Sequence, residues 1–72
     1  MHQRIREALV EARKAAGLTQ RQLAEQLGVR QPTLADIERG KRPLPYERLV
    51  RLPKEIRRRV IDTMITELKA LR

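Results

Sequence analysis

The 72-residue sequence has no cysteine, tryptophan or phenylalanine, one tyrosine (Tyr46) and one histidine (His2). Without cysteine, disulfides, thiol catalysis and cysteine-based zinc sites are excluded, and the composition suits a reducing cytoplasm. No apolar run approaches the roughly 18 residues that would span a membrane. The opening stretch, Met1 to Val10, already carries Arg4, Arg6 and Glu7, which does not fit a signal peptide. The scarcity of aromatic rings bears on nucleic acids. Single-strand binders and most sequence-specific RNA binders stack bases on such rings. A nucleic-acid partner of this chain is therefore expected to be a duplex. Catalysis is not expected either. The sole histidine lies at a terminus, and no nucleophile–base pair, phosphate-binding glycine loop or metal cluster can be assembled, so no catalytic residue, metal or cofactor is assigned.

What the sequence has in excess is positive charge. Seventeen Lys and Arg against nine Asp and Glu give a net charge of +8, and seven of the cations fall between Arg39 and Arg57. That balance fits a polyanionic partner, with solubility alone as the plainer alternative. The length predicts one domain over residues 1–72, near the lower limit for a single core.

Hydrophobic spacing predicts five helical segments and no strand. The first runs from about Gln3 to Ala16, with Ile5, Leu9, Ala12 and Ala16 on one face, and Gly17 stands where a helix end favours a left-handed residue. The second opens on Thr19-Gln20-Arg21-Gln22, a capping box, with Leu18 and Leu23 as a candidate hydrophobic staple. It turns Leu23, Ala24 and Leu27 inward and stops at Gly28. The third starts near Gln31, tolerates Pro32 in its first turn, buries Leu34 and Ile37, and runs to Arg39 before Gly40. Two short helices joined by about three residues with a glycine describe a helix-turn-helix. A basic loop follows, Lys41 to Pro45. The fourth segment, about Tyr46 to Leu52, is expected to bury Leu49, Val50 and Leu52. Pro53 then opens a long fifth helix, about Lys54 to Leu71.

In Leu18-Thr19-Gln20, Leu23-Ala24, Leu27-Gly28-Val29, Thr33-Leu34 and Ile37-Glu38-Arg39-Gly40-Lys41 the chain resembles the Cro/repressor-type helix-turn-helix family, also called the XRE family. The resemblance spans about Arg4 to Pro43 and weakens beyond. It implies an all-α, five-helix, lambda-repressor-like DNA-binding domain of bacterial or phage type, with its helix-turn-helix at helices two and three. It also implies a structural ion pair between Arg13 and Glu38, which fixes helix orientation more than it adds stability.

By the same resemblance the third helix enters the major groove. The wheel agrees: with Leu34 and Ile37 inside, Pro32, Ala35, Asp36 and Arg39 face out, and Gln31 lies at the exposed N-terminal end where recognition helices meet bases. Gln31 suits adenine, and Pro32 and Ala35 suit a thymine methyl. Thr33 caps the helix start or reaches a base. Asp36 accepts from cytosine, repels wrong sites, or pairs with Arg39; the sequence leaves the three open. Each of these residues also has a plain solvated reading. The resemblance implies a phosphate contact from Gln20, which opens the second helix. Thr19 and Arg21 at the same N-terminus, and Arg39, Lys41 and Arg42, are expected to join it, and Arg30 to meet a phosphate or a guanine. Arg30 stands where the family usually has a small N-cap residue, so that cap should be weak.

On the fifth segment Ile56, Val60, Ile61, Met64, Ile65, Leu68 and Leu71 cover roughly half the circumference at 3.6 residues per turn. One core needs a stripe only somewhat over ~100° wide. The excess points to a second partner. Ile61, Met64, Ile65, Leu68 and Leu71 would form the interface of a homodimer on an inverted repeat, with a wider intramolecular core as the alternative. The expected function is a cytoplasmic, nucleoid-associated transcriptional regulator, most simply a repressor, and the family resemblance implies that it controls its own operon. An antitoxin that binds a toxin partner as well as DNA, and a non-specific nucleoid or RNA-associated protein, are the competing readings.

Overall fold

The computed structural model describes residues Gln3–Leu71; His2 lies outside the described residues. The order is α1 (Gln3–Ala15), α2 (Gln20–Leu27), α3 (Gln31–Glu38), a 3-10 helix (Tyr46–Arg51) and α4 (Lys54–Ala70), with no strand among the described residues. No described helix is long and apolar enough to cross a membrane.

Local chemistry sets the boundaries of α2 and α3. Thr19 Oγ1 accepts the Gln22 N–H at 3.0 Å, and Gln22 Oε1 accepts the Thr19 N–H at 2.9 Å. This capping box satisfies two donors that a helix start otherwise leaves bare. At the far end Gly28 turns left-handed, with φ 74°. Its N–H reaches back to Glu25 O, and the Val29 N–H to Ala24 O. A side chain at that φ would be strained, so glycine is what lets the chain leave α2 and begin α3 three residues later. Gly40 closes α3 in the same way, with φ 80° and the Lys41 N–H bonded to Asp36 O at 2.8 Å. The α3 start is plainer: Arg30, its N-cap, makes no side-chain capping bond. The weak cap expected there is what the structure has.

The core joins every element. Ile5, Leu9 and Ala12 of α1 meet Leu23, Ala24 and Leu27 of α2, Leu34 and Ile37 of α3, and Ile56 and Val60 of α4. Six of the larger side chains, Leu9, Leu23, Leu27, Leu34, Ile56 and Val60, are fully buried. Each such side chain contributes about 2 kcal/mol relative to exposure. Helix α1 lies along α4, α3 packs against both α1 and α2, and α2 also meets the 3-10 helix, which leaves one side of α3 free.

Two expectations need correction. Helix α1 ends at Ala15, and Ala16 is exposed rather than inward, because the chain is already turning towards Gly17. Ala8 is buried in that stripe instead. The fourth segment is helical as expected, in the 3-10 form, and its tighter winding of about three residues per turn moves Val50 out of the core. Val50 is 72% exposed, whereas Leu49 and Leu52 are buried. The basic loop is also not purely a surface feature, since Leu44 inserts into the core between Pro43 and Pro45.

Candidate nucleic-acid interface

Helix α3 presents the face that its sequence pattern anticipates. Gln31, Pro32 and Arg39 are exposed, Thr33, Ala35 and Asp36 are half-buried, and Leu34 and Ile37 are buried. Gln31 is the first residue of the helix, so its amide stands at the tip of the exposed face.

That amide is held in place. Gln31 Nε2 donates to Gln20 Oε1 at 3.0 Å, and Gln20 Nε2 donates to Glu38 Oε1 at 2.9 Å. Glu38 Oε2 accepts from Arg13 Nε at 2.7 Å, and Oε1 from Arg13 Nη2 at 3.1 Å. Arg13 Nη1 also donates to Leu18 O at 2.9 Å. A continuous polar chain thus runs from a buried arginine on α1, through both helices of the helix-turn-helix, to the exposed tip of α3. The Arg13–Glu38 geometry is the bidentate one that guanidinium and carboxylate favour. The two side chains are only 10% and 6% exposed.

Gln20 is therefore more than a surface donor. Its oxygen and one N–H of its nitrogen are used within the protein, and the second N–H of the same nitrogen has no partner among the described residues. The capping box engages the N–H groups of Thr19 and Gln22, which leaves those of Gln20 and Arg21 as the helix-start donors for an anion. Thr19 keeps its hydroxyl hydrogen while its oxygen caps the helix.

Asp36 is paired with arginines in the structure. Its Oδ1 accepts from Arg39 Nη2 at 3.1 Å, and its Oδ2 lies 3.8 Å from Arg42 Nε. One carboxylate thus orients two cations beside the exposed face of α3. Arg21 has only a loose i,i+4 partner, Glu25, at 3.8 Å on an open surface, which leaves its charge available. Arg30 and Lys41 are exposed, without an ion pair among the described residues. The sequence assigned Gln20 and Gln31 separate roles; their mutual bond depends on how α2 and α3 cross, which no local signal carries.

On α4 the residues assigned to an interface divide. Met64 is half-buried against the core, while Ile61, Ile65, Leu68 and Leu71 are exposed, Leu68 at 63% and Leu71 at 71%. Arg57, on the same helix, turns back to donate from Nη1 to Val50 O at 3.1 Å.

Two short helices joined by a glycine turn, the second bare-faced and surrounded by arginines, define a helix-turn-helix DNA-binding domain. The family model described as Helix-turn-helix matches residues 9–60, and the chain belongs to this Cro/repressor-type (XRE) helix-turn-helix family of DNA-binding transcription regulators. No curated protein and no solved structure matches the chain.

Proposed function

We propose that the protein is a sequence-specific transcriptional regulator that reads duplex DNA with α3 and represses its own operon as a homodimer on an inverted repeat. The observation that carries the base-reading part is the tethered Gln31. A glutamine amide placed at the start of an exposed helix, and oriented by Gln20, can donate to and accept from adenine in the major groove. Pro32 and Ala35 supply apolar surface beside it, and Thr33 borders it. Gln20, Arg21, the Thr19 hydroxyl, Arg30, Arg39, Lys41 and Arg42 anchor the phosphates on either side. Asp36 acts through Arg39 and Arg42 rather than on a base.

The dimer is supported by the exposed apolar residues of α4. One recognition helix reads only a few base pairs, and a second copy extends the site to a palindrome. The same residues would serve a toxin partner in the antitoxin reading, which a stoichiometric copurifying protein would favour. A protein of this kind works in the cytoplasm, on the nucleoid.

Fluorescence anisotropy on a selected duplex and an unrelated duplex tests the reading. Gln31→Ala is expected to lose about tenfold or more on the selected duplex, at 1–3 kcal/mol per good base contact, and nothing on the unrelated one. Equal losses on both would remove Gln31 from base recognition.

A further inference from the structure

We propose that Arg48 and Arg51 form a phosphate clamp on the turn of the helix-turn-helix, gripping one DNA backbone phosphate beside the groove that α3 enters. The clamp rests on the DNA reading above and adds two residues that neither the sequence pattern nor the family match assigns.

The geometry starts at Gly28. A Cβ built there would lie 2.5 Å from Arg51 Nη1 and 2.8 Å from Arg48 Nη1. Both guanidinium groups therefore converge on the space that the missing side chain leaves open. The two Nη1 atoms therefore lie at most about 5 Å from each other, so two like charges are held close together. No carboxylate among the described residues pairs with either.

Arg48 has an evident local task. Its Nη1 donates to Leu27 O at 3.1 Å and to Gly28 O at 2.8 Å, so it caps the negative end of α2. One cation suffices for that. The Arg51 side chain makes no hydrogen bond among the described residues, and the residue is exposed and still sits against the same turn. Two converging guanidiniums with one unmet charge suit a tetrahedral dianion or monoanion, which accepts several charge-assisted hydrogen bonds at once.

The location suits the DNA backbone. Gly28 precedes Gln31 by three residues, so even a fully extended chain would place them at most about 11 Å apart. The major groove is about 12 Å wide, so a cation that close to a helix tip in the groove reaches the groove wall, where the phosphates are. Exposed Arg30 lies between, and extends the positive strip from the clamp to α3.

The test is the salt dependence of duplex binding by the full chain. Each neutralised phosphate contributes about 0.9 to the slope of log K against log[salt]. Arg51→Gln is expected to lower that slope by about 1 per bound subunit, so that between about 50 and 200 mM salt the wild-type protein loses about three- to fourfold more affinity than the variant for each bound subunit, or roughly 12- to 16-fold for a dimer. The affinity loss should be equal on the selected and the unrelated duplex, and the thermal midpoint unchanged. Arg48→Gln should lower the slope and also the midpoint, since it removes a cap. A slope unchanged in Arg51→Gln overturns the clamp, as does a loss confined to the selected duplex. Absence of duplex binding by the wild-type protein removes the DNA reading and the clamp with it; intact wild-type binding with an unchanged slope removes the clamp alone.

Discussion

Arg13 grips Glu38 with two nitrogens, at 2.7 and 3.1 Å, and Glu38 in turn holds Gln20. This joins α1 to the end of α3 and fixes the start of α2 from inside. Orientation is what such a pair supplies, because bringing two charges out of water offsets most of their attraction. Here the orientation passes on to Gln31, through Gln20.

Breaking the pair should therefore be costly in a way that replacing it is not. Glu38→Ala leaves a guanidinium buried without its carboxylate and is expected to cost about 3–5 kcal/mol in urea unfolding. The double variant Arg13→Met/Glu38→Leu should recover most of that stability, yet bind DNA more weakly than the wild type because Gln20 is no longer held. A cost of under about 1 kcal/mol for Glu38→Ala would make the pair an ordinary exposed salt bridge.

Gly17 and Gly28 offer a controlled comparison. Both have φ near +73°, at 73° and 74°, but a Cβ at Gly17 meets nothing within 4 Å, while one at Gly28 meets Arg48 and Arg51. Ala at either site carries the left-handed penalty of about 1–2 kcal/mol. Only Gly28→Ala should also displace the arginines, and so weaken duplex binding once both variants are compared well below their thermal midpoints. Equal binding by the two alanine variants would argue against a role for the turn's open space.

The 3-10 helix makes neighbouring residues unequal. Leu49→Ala is expected to cost about 2–5 kcal/mol, as buried leucine truncations do. Val50→Ser should stay within about 0.5 kcal/mol, as exposed substitutions do. Chemical denaturation of both variants checks the register. A large loss from Val50→Ser would return Val50 to the core, where the sequence spacing suggested it.

The exposed end of α4 bears on assembly. If Ile65, Leu68 and Leu71 meet a second copy, Leu68→Glu should convert a dimer to a monomer in sedimentation while leaving the helical circular dichroism signal intact. An unchanged mass would place the interface elsewhere or dispense with it.

The first three helices were legible in the sequence because their signals are local. Thr19 with Gln22 marks the start of α2, and Gly28 and Gly40 mark where α2 and α3 end, each within a few residues of the feature it controls. Arg13 and Glu38 lie far apart in sequence, and only the family resemblance paired them. The Tyr46–Arg51 segment was misread because six residues between prolines hold too few turns to separate a period of 3.6 from one of 3, and Val50 falls inside under one and outside under the other. Leu44 was lost among the loop's charges and prolines. The Gln20–Gln31 bond and the meeting of Arg48 and Arg51 over Gly28 depend on how elements cross, which periodicity does not encode.

The central claim is that α3 reads bases, and a binding selection from randomised duplex DNA at about physiological salt tests it most directly, because there the sequence-independent background is limited. The wild-type protein is expected to enrich an inverted repeat with half-sites about one helical turn apart, and Gln31→Ala to lose preference at one position of each half-site. Binding without enrichment of any sequence would contradict the claim and leave a basic helical protein that recognises the duplex by its charge alone.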